Sequence, residues 1–143
     1  MKRNLFYLLP LLLTLGVACS PKNEVVPVAQ PQGNFTGTFG ALVKKASGAG
    51  YDTIRDTISL KLTATGSLFK VAANTRKHVA SYGAFAYNGY YIQFNDSLAV
   101  VPGVNKFHLS KVYQYYYDGN VLQMQRNTNG DTLTVQYNLK KTN

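Results

Sequence analysis

The sequence predicts an all-β protein in which about eight antiparallel strands follow one another in meander order and close into a small up-and-down barrel. Two observations predict this fold. From Asn34 onward, Thr, Val, Tyr, Phe and Ile alternate with polar residues, and no helical stripe of useful length occurs. Turn dipeptides such as Asn88-Gly89 and Asp118-Gly119 then divide the chain into short strands. Closure into a barrel removes the edges that such a sheet would otherwise expose.

The first three strands follow directly from the alternation of apolar and polar residues. A first strand ends near Lys44-Lys45, and a flexible Gly-rich loop separates it from the second. A Thr65-Gly66 turn leads into a short third strand around Leu68 to Ala72. The residues predicted to point inward on the first two strands are Phe35, Gly37, Phe39 and Ala41, then Ile58, Leu60, Leu62 and Ala64.

Asn88-Gly89 is expected to form the two central residues of a type I′ hairpin turn, which would set the register of its strands. The predicted pairs are Tyr87 with Tyr90, Phe85 with Ile92, and Gly83 with Phe94. This register places the bulky residues on one face, with Phe94 over the glycine.

Asp118-Gly119 and Asn129-Gly130 predict two further hairpins of the same kind. The two turns independently place Leu122 and Met124 on the same inward face. This agreement between the turn residues and the alternation of apolar and polar residues is the strongest structural evidence in the sequence. Lys111 would then oppose Arg126, so pairing is expected to bulge or end there. The predicted pairs are Tyr115 with Leu122, Tyr113 with Met124, Met124 with Val135 and Leu122 with Tyr137, with Gln123 between Gln114 and Gln136 on the outward face.

The N-terminus predicts a bacterial lipoprotein signal. Lys2 and Arg3 precede an apolar run of 13 residues, Leu5 to Val17, whereas a membrane-spanning helix needs about 20. The small residue Ala18 precedes Cys19, the only cysteine, and the segment resembles a lipobox in which Gly16 stands where Leu is usual. Cys19 is therefore the predicted lipidation site, and cleavage at another small residue is the alternative.

Three segments follow from this interpretation. Residues 1–18 are the predicted lipoprotein signal peptide, residues 19–33 the lipidated cysteine and a Pro-rich tether, and residues 34–143 the β-barrel domain. Ser20 beside the cysteine favours the outer membrane, with the leaflet left open. The membrane is the first expected partner, reached through the N-terminal acyl groups, each of whose buried methylenes contributes roughly 0.8 kcal/mol.

Three segments of the domain carry a family resemblance. Gly33-Asn34-Phe35-Thr36-Gly37-Thr38-Phe39 opens it, and Tyr82-Gly83-Ala84-Phe85 and Ile92-Gln93-Phe94-Asn95-Asp96 follow. Together they resemble the small lipocalin-like lipoproteins of the Bacteroidota. The resemblance implies a lipocalin-like barrel that binds a ligand, although the Gly-x-Trp of true lipocalins is missing because the chain has no Trp.

The sequence indicates no catalytic site. Asp52 and Asp56 would lie about 13 Å apart along a strand, too far to act together on one bond. His78 falls in a basic loop, and His108 alternates outward on a strand, with no close acidic partner expected for either. Asp96 is expected to serve a turn. We therefore expect a non-catalytic protein with no metal and no cofactor.

Aromatic residues are the remaining candidates for binding. An inward set is predicted to line an apolar cavity with hydroxyls at its mouth: Phe85, Tyr87, Tyr90, Phe94, Tyr113, Tyr115 and Tyr137. The outward residues Tyr91 and Tyr116 instead offer a stacking surface for sugars or single-stranded nucleic acid. The formal charge is +9, of which +7 remains without Lys2 and Arg3, but the basic residues are scattered. No nucleic-acid partner is expected for an exported protein.

Three functions follow from these features. The first is a lipid-anchored cell-envelope barrel that binds a small apolar ligand or an envelope component. The second is a structural module with a solid core, whose surface contacts a protein or a glycan. The third, least favoured, is a hydrolase of envelope polymers. A packed or an open interior would separate the first two, and the sequence indicates no oligomeric state.

Overall fold

A computed structural model describes residues 29–72, 75–98 and 106–142. The predicted signal peptide, Cys19 and most of the tether lie outside the described residues. Each strand pairs antiparallel with the next, and the last pairs with the first, so the predicted eight-stranded meander barrel is confirmed. No helix in these ranges is long and apolar enough to cross a membrane. The strands are β1 (Gly33–Lys44), β2 (Tyr51–Thr63), β3 (Leu68–Val71), β4 (Ser81–Tyr87), β5 (Tyr91–Asp96), β6 (Lys111–Tyr117), β7 (Val121–Asn127) and β8 (Leu133–Thr142).

The barrel interior is filled by the residues that alternate inward along every strand. Aromatic rings occupy its centre and contact one another: the ring centroids of Phe69 and Phe94 lie 5.0 Å apart. Those of Tyr113 and Tyr137 lie 5.6 Å apart in an edge-to-face arrangement. The predicted inward positions of β1 and β2 are confirmed for Phe35, Phe39, Ala41, Ile58, Leu60 and Leu62, all of them buried.

The registers predicted for the β4–β5 and β6–β7 hairpins are wrong by two residues. Phe85 pairs with Phe94 rather than with Ile92, and Tyr115 pairs with Met124 rather than with Leu122. The cause lies in the turns. The Oδ1 atom of Asn88 accepts hydrogen bonds from the two N–H groups two and three residues further on. Asn88 is therefore the first of the four turn residues, and Gly89 is the first of the two central ones.

Asp118 repeats this arrangement in the β6–β7 hairpin, where its Oδ1 accepts the N–H groups of Asn120 and Val121 at 2.8 and 2.7 Å. These bonds hold the pKa of Asp118 below its ordinary value. Gly119 has a φ of +98°, a conformation that glycine adopts without strain. Because a shift of two residues preserves the face of every side chain, Leu122 and Met124 still point inward, as predicted.

The β7–β8 connection is also longer than the predicted two-residue turn. A single 3₁₀ turn, Asn129–Asp131, forms part of it, and Met124 pairs with Tyr137. Gln125, rather than Gln123, therefore lies between Gln114 and Gln136. The expected interruption near Lys111 is present, because β6–β7 pairing stops at Gln114 and Lys111 has a φ of +76°.

The two ends of the barrel differ in construction. At the N-terminal end, the start of β1 lies beside the β2–β3, β4–β5 and β6–β7 turns. At the opposite end, which we call the strap end, residues 75–80 and 106–110 pass over the interior. A parallel bridge between His78 and Phe107 joins them, and both rings pack on Phe39, at 5.2 and 5.0 Å between centroids. The straps therefore close this end of the barrel.

Candidate functional site

The structure brings together five of the seven residues predicted to line a cavity. Phe85, Phe94, Tyr113, Tyr115 and Tyr137 are buried inside the barrel. Their rings pack on one another and on their neighbours, with Phe94 and Tyr113 6.0 Å apart between centroids. The hydroxyl group of Tyr115 donates to the backbone oxygen of Asn88 at 2.8 Å, which ties it to the β4–β5 turn. The predicted ligand-binding role of this inward set stays a prediction.

The inward placement predicted for Tyr90 is wrong, whereas Tyr87 lies on the inward face of β4 at the rim of the barrel. Tyr90 is 74% exposed, because the corrected register makes it a central residue of the turn. Tyr87 points to the same face as Phe85, and the centroids of their stacked rings lie 6.0 Å apart; its side chain is 38% exposed because it lies at the N-terminal end of the barrel.

His78 occupies a position that the sequence does not reveal. It belongs to the strap of residues 75–80, and its side chain is fully buried in the barrel interior rather than exposed in an open basic loop. Its Nδ1–H donates to the backbone oxygen of Val79 at 2.7 Å, so Nε2 accepts the hydroxyl of Tyr137 at 3.0 Å. Burial lowers the pKa of His78 and raises that of Tyr137 well above its ordinary value. The pair therefore forms a neutral hydrogen bond within the core.

Two carboxylates hold the straps in place. Asp96 lies 3.0 Å from Nδ1 of His108, so the expectation of a surface histidine without an acidic partner is wrong. Asp96 also accepts the N–H of Leu98, the turn role that the sequence indicates. Asp56 accepts the Thr75 hydroxyl and the Lys77 N–H, both at 2.6 Å, which lowers its pKa. Residues 29–72, 75–98 and 106–142 contain no cluster of three or more potential metal ligands.

Arg126 also points inward at the strap end. Its guanidinium carbon lies 5.4 Å from the centroid of the Tyr113 ring, a cation–π distance. Arg126 Nε, Tyr113 Oη and Ser81 Oγ are buried, and in the described part of the chain none of them makes a hydrogen bond of standard geometry. Arg126 occupies the same alternate positions of β7 as Leu122 and Met124, so the alternation of the sequence could have predicted that its side chain points inward. These groups make the interior polar at the strap end, whereas the centre of the barrel is aromatic.

The outer face of β6, β7 and β8 carries two rows of uncharged polar side chains, which we call the amide belt. The first row runs across the strands through Gln114, Gln125 and Gln136, and Tyr91 of β5 extends it. The second row consists of Tyr116, Gln123 and Asn138. Tyr91 and Tyr116 are 51% and 61% exposed, so their predicted outward direction is confirmed.

Hydrogen bonds and surface shape define the belt further. The side-chain amide of Gln136 donates to Gln125 at 3.1 Å, and that of Gln125 donates to Asn127 at 3.3 Å. A depression of about 400 Å³ lies between the two rows. It shares lining residues with a depression of about 270 Å³ on either side. The three together form a shallow groove around the barrel from β5 to β2.

The groove is flat and nearly neutral. Gly40 continues the first row on β1, and a Cβ atom built there would have no heavy atom closer than 4.0 Å. The missing side chain therefore leaves open space in the groove. Among the described residues that line it, the only charged ones are Arg55 near one end and Arg126 near the other, and the side chain of Arg126 points into the barrel. The groove consequently offers amide donors, amide acceptors and tyrosine rings, but few charges.

Comparisons of the chain with protein-family models, with curated proteins and with solved structures found no match. The geometry alone therefore defines the class. The protein is a small, closed, antiparallel β-barrel of eight strands, with an aromatic core and a belt of amides and tyrosines on one outer face.

Proposed function

We propose that the protein is a lipid-anchored, non-catalytic module of the cell envelope that binds an uncharged glycan chain on its amide belt. The observation that carries the proposal is the belt itself, a groove of aligned amides flanked by Tyr91 and Tyr116. The lipoprotein signal around Cys19 and the resemblance to Bacteroidota lipoproteins favour the outer membrane as its location.

The chemistry of the belt fits a sugar chain. Amide side chains supply both donors and acceptors, which suits hydroxyl groups that also do both. Exposed tyrosine rings offer apolar faces on which sugar rings can stack, with a hydroxyl that remains in contact with water. From Tyr91 on β5 to Gly40 on β1 the first row crosses four strand spacings, or about 19 Å. This length accommodates several consecutive sugar units.

Charge argues against a polyanionic ligand on this face. The chain carries a formal charge of +9, yet the central depression of the belt is lined by no charged residue. Nucleic-acid binding depends on lysine and arginine side chains that neutralise phosphates. A neutral groove on a basic protein therefore favours a neutral, hydroxyl-rich chain.

The packed interior favours a module that works through its surface. Aromatic rings in mutual contact occupy the space where a lipocalin-like ligand would lie. Native mass spectrometry of protein purified from its own membrane tests the alternative, binding of a small apolar ligand by the inward set. Retention of a small molecule would support that alternative, and its repeated absence would support the surface proposal.

Affinity electrophoresis tests the belt directly. Full-length protein is run through gels that contain soluble uncharged polysaccharides, with heparin as a polyanion for comparison. We expect at least one uncharged polysaccharide to retard the protein, and Tyr116→Ala with Gln125→Ala to abolish the retardation. Tyr82→Ala, an exposed tyrosine on the far side of the barrel, is the matched control. Retardation by heparin alone, or equal loss in the control, would contradict the proposal.

The anchor has a separate test. Cys19→Ser should move the protein from the membrane fraction to the soluble fraction, because the thiol that accepts the lipid is gone. Growth in labelled fatty acid, followed by detection of label on the wild type alone, gives a second readout. Protein that stays membrane-bound after the substitution would show that lipidation of Cys19 is not the anchor.

A further inference from the structure

A second groove lies on the opposite side of the barrel from the amide belt. It has a volume of about 730 Å³ and runs over the outer faces of β2, β3 and β4. We call it the lysine–tyrosine groove and define it by Lys61, Leu68, Lys70, Tyr82 and Ala84. In an eight-stranded barrel β3 and β7 are diametrically opposed, so this groove and the amide belt face away from each other.

Two large side chains make the groove partly apolar. Leu68 and Tyr82 are each 52% exposed, although they lie on neighbouring strands and at diagonal positions. Ala84 pairs with Leu68 and is too small to cover it. The groove therefore exposes an aliphatic chain and an aromatic ring side by side, an arrangement that favours an amphipathic partner.

Two lysines give the same groove an unbalanced positive charge. Lys61 and Lys70 are directly opposite each other in the β2–β3 pair, an arrangement that is unfavourable for like charges. On its other side Lys61 pairs with Asn34, which is neutral. Across the described ranges, neither ammonium group lies within ion-pair distance of a carboxylate. The pair is thus complementary to an anionic group such as a phosphate.

The start of β1, to which the predicted anchor is tethered, lies next to this groove. β1 begins at Gly33, which pairs with Leu62, and the next residue pairs with Lys61. β1 therefore begins beside the groove. Thirteen residues lie between Cys19 and Gly33, and in a polyproline II conformation this stretch would span about 43 Å. A barrel anchored through Cys19 is held within contact distance of the lipid surface.

We propose that the lysine–tyrosine groove docks on the headgroup region of an anionic phospholipid bilayer. Lys61 and Lys70 contact lipid phosphates, while Leu68 and Tyr82 enter the boundary between headgroups and acyl chains, where aromatic side chains with a polar tip are favoured. Docking on this side turns the amide belt away from the membrane. The inference rests on the proposed function for its anchor, but the contact itself needs no acyl group.

Vesicle co-sedimentation of the full-length Cys19→Ser protein tests the contact without the anchor. Vesicles of phosphatidylcholine alone are compared with an equimolar mixture of phosphatidylcholine and phosphatidylglycerol. We expect binding to the mixed vesicles, weakened by added salt, and little binding to phosphatidylcholine. Lys61→Gln with Lys70→Gln should weaken binding by about tenfold or more, and Leu68→Ser with Tyr82→Ser should also weaken it.

Lys44→Gln with Lys45→Gln is the matched control, since it removes the same charge at the strap end. The control should bind as the wild type does, and circular dichroism should show that all variants are folded. Equal loss in the control, or equal binding to both kinds of vesicle, would overturn the proposal. Because the assay uses unacylated protein, failure of Cys19 lipidation would not change it. Retardation by a polysaccharide should be unaffected by Lys61→Gln with Lys70→Gln.

Discussion

The hydrogen bond between Tyr137 and His78 gives the sharpest test of the core. Tyr137→Phe removes one hydroxyl group from a side chain that is 2% exposed, with almost no change in ring packing. Nε2 of His78, which accepts that hydroxyl at 3.0 Å, is then left buried without a partner. An unsatisfied buried acceptor of this kind costs about 1–3 kcal/mol of unfolding free energy. We therefore expect Tyr137→Phe to lose stability in that range.

Urea unfolding followed by circular dichroism measures the loss. Tyr116→Phe is the control, because its side chain is 61% exposed and its hydroxyl group can be replaced by water. The control should change the unfolding free energy by less than about 0.5 kcal/mol. If the two variants are equally stable, the buried hydrogen bond is not a net contributor and the reasoning is refuted.

The same site predicts a dependence of stability on pH. Burial lowers the pKa of His78 in the folded protein, whereas the unfolded chain keeps a value of about 6.5. The unfolded state therefore binds the proton more readily, so the contribution of His78 is fully present above about pH 6.5 and is lost as the pH falls below it. His78→Gln should flatten this part of the stability profile. An unchanged slope would contradict the assignment.

Three further substitutions test the packing, the core and the straps. Gly37→Ala should lower the free energy of unfolding, measured by heating, by about 1–3 kcal/mol, because a Cβ atom there would clash with backbone atoms of β8. Gly40→Ala on the same strand is the control, since a Cβ atom there meets open space and stability should not change. Met124→Ala should cost about 2–5 kcal/mol in urea unfolding, since the side chain is 2% exposed; a loss below that range would mean that the site collapses. Asp56→Ala removes the acceptor of the Lys77 N–H, so hydrogen exchange of that amide should accelerate, and unchanged protection would show that the strap is held otherwise.

The alternation of residues predicted the fold because it depends only on local chemistry. Strand parity correctly assigned Leu122 and Met124 to the interior and Tyr116 to the surface, and it would also have assigned Arg126. It could not fix the register, because Asn88 and Asp118 are equally suited to the position before a turn and to the position within it. Their side-chain hydrogen bonds place both residues before the two central turn positions, so the register of each hairpin differs by two residues from the predicted one.

The sequence by itself determined that this protein is a closed β-barrel and which side chains point into it, because a strand sorts its residues by a period of two wherever one face is buried. Tertiary structure alone decided the rest. Only the folded chain brings together the side chains that bury His78, that form the Asp96–His108 contact and that line both grooves, because these side chains are far apart in the sequence. Such contacts depend on register and on the path of the straps, neither of which has a local signal in the residues that form them.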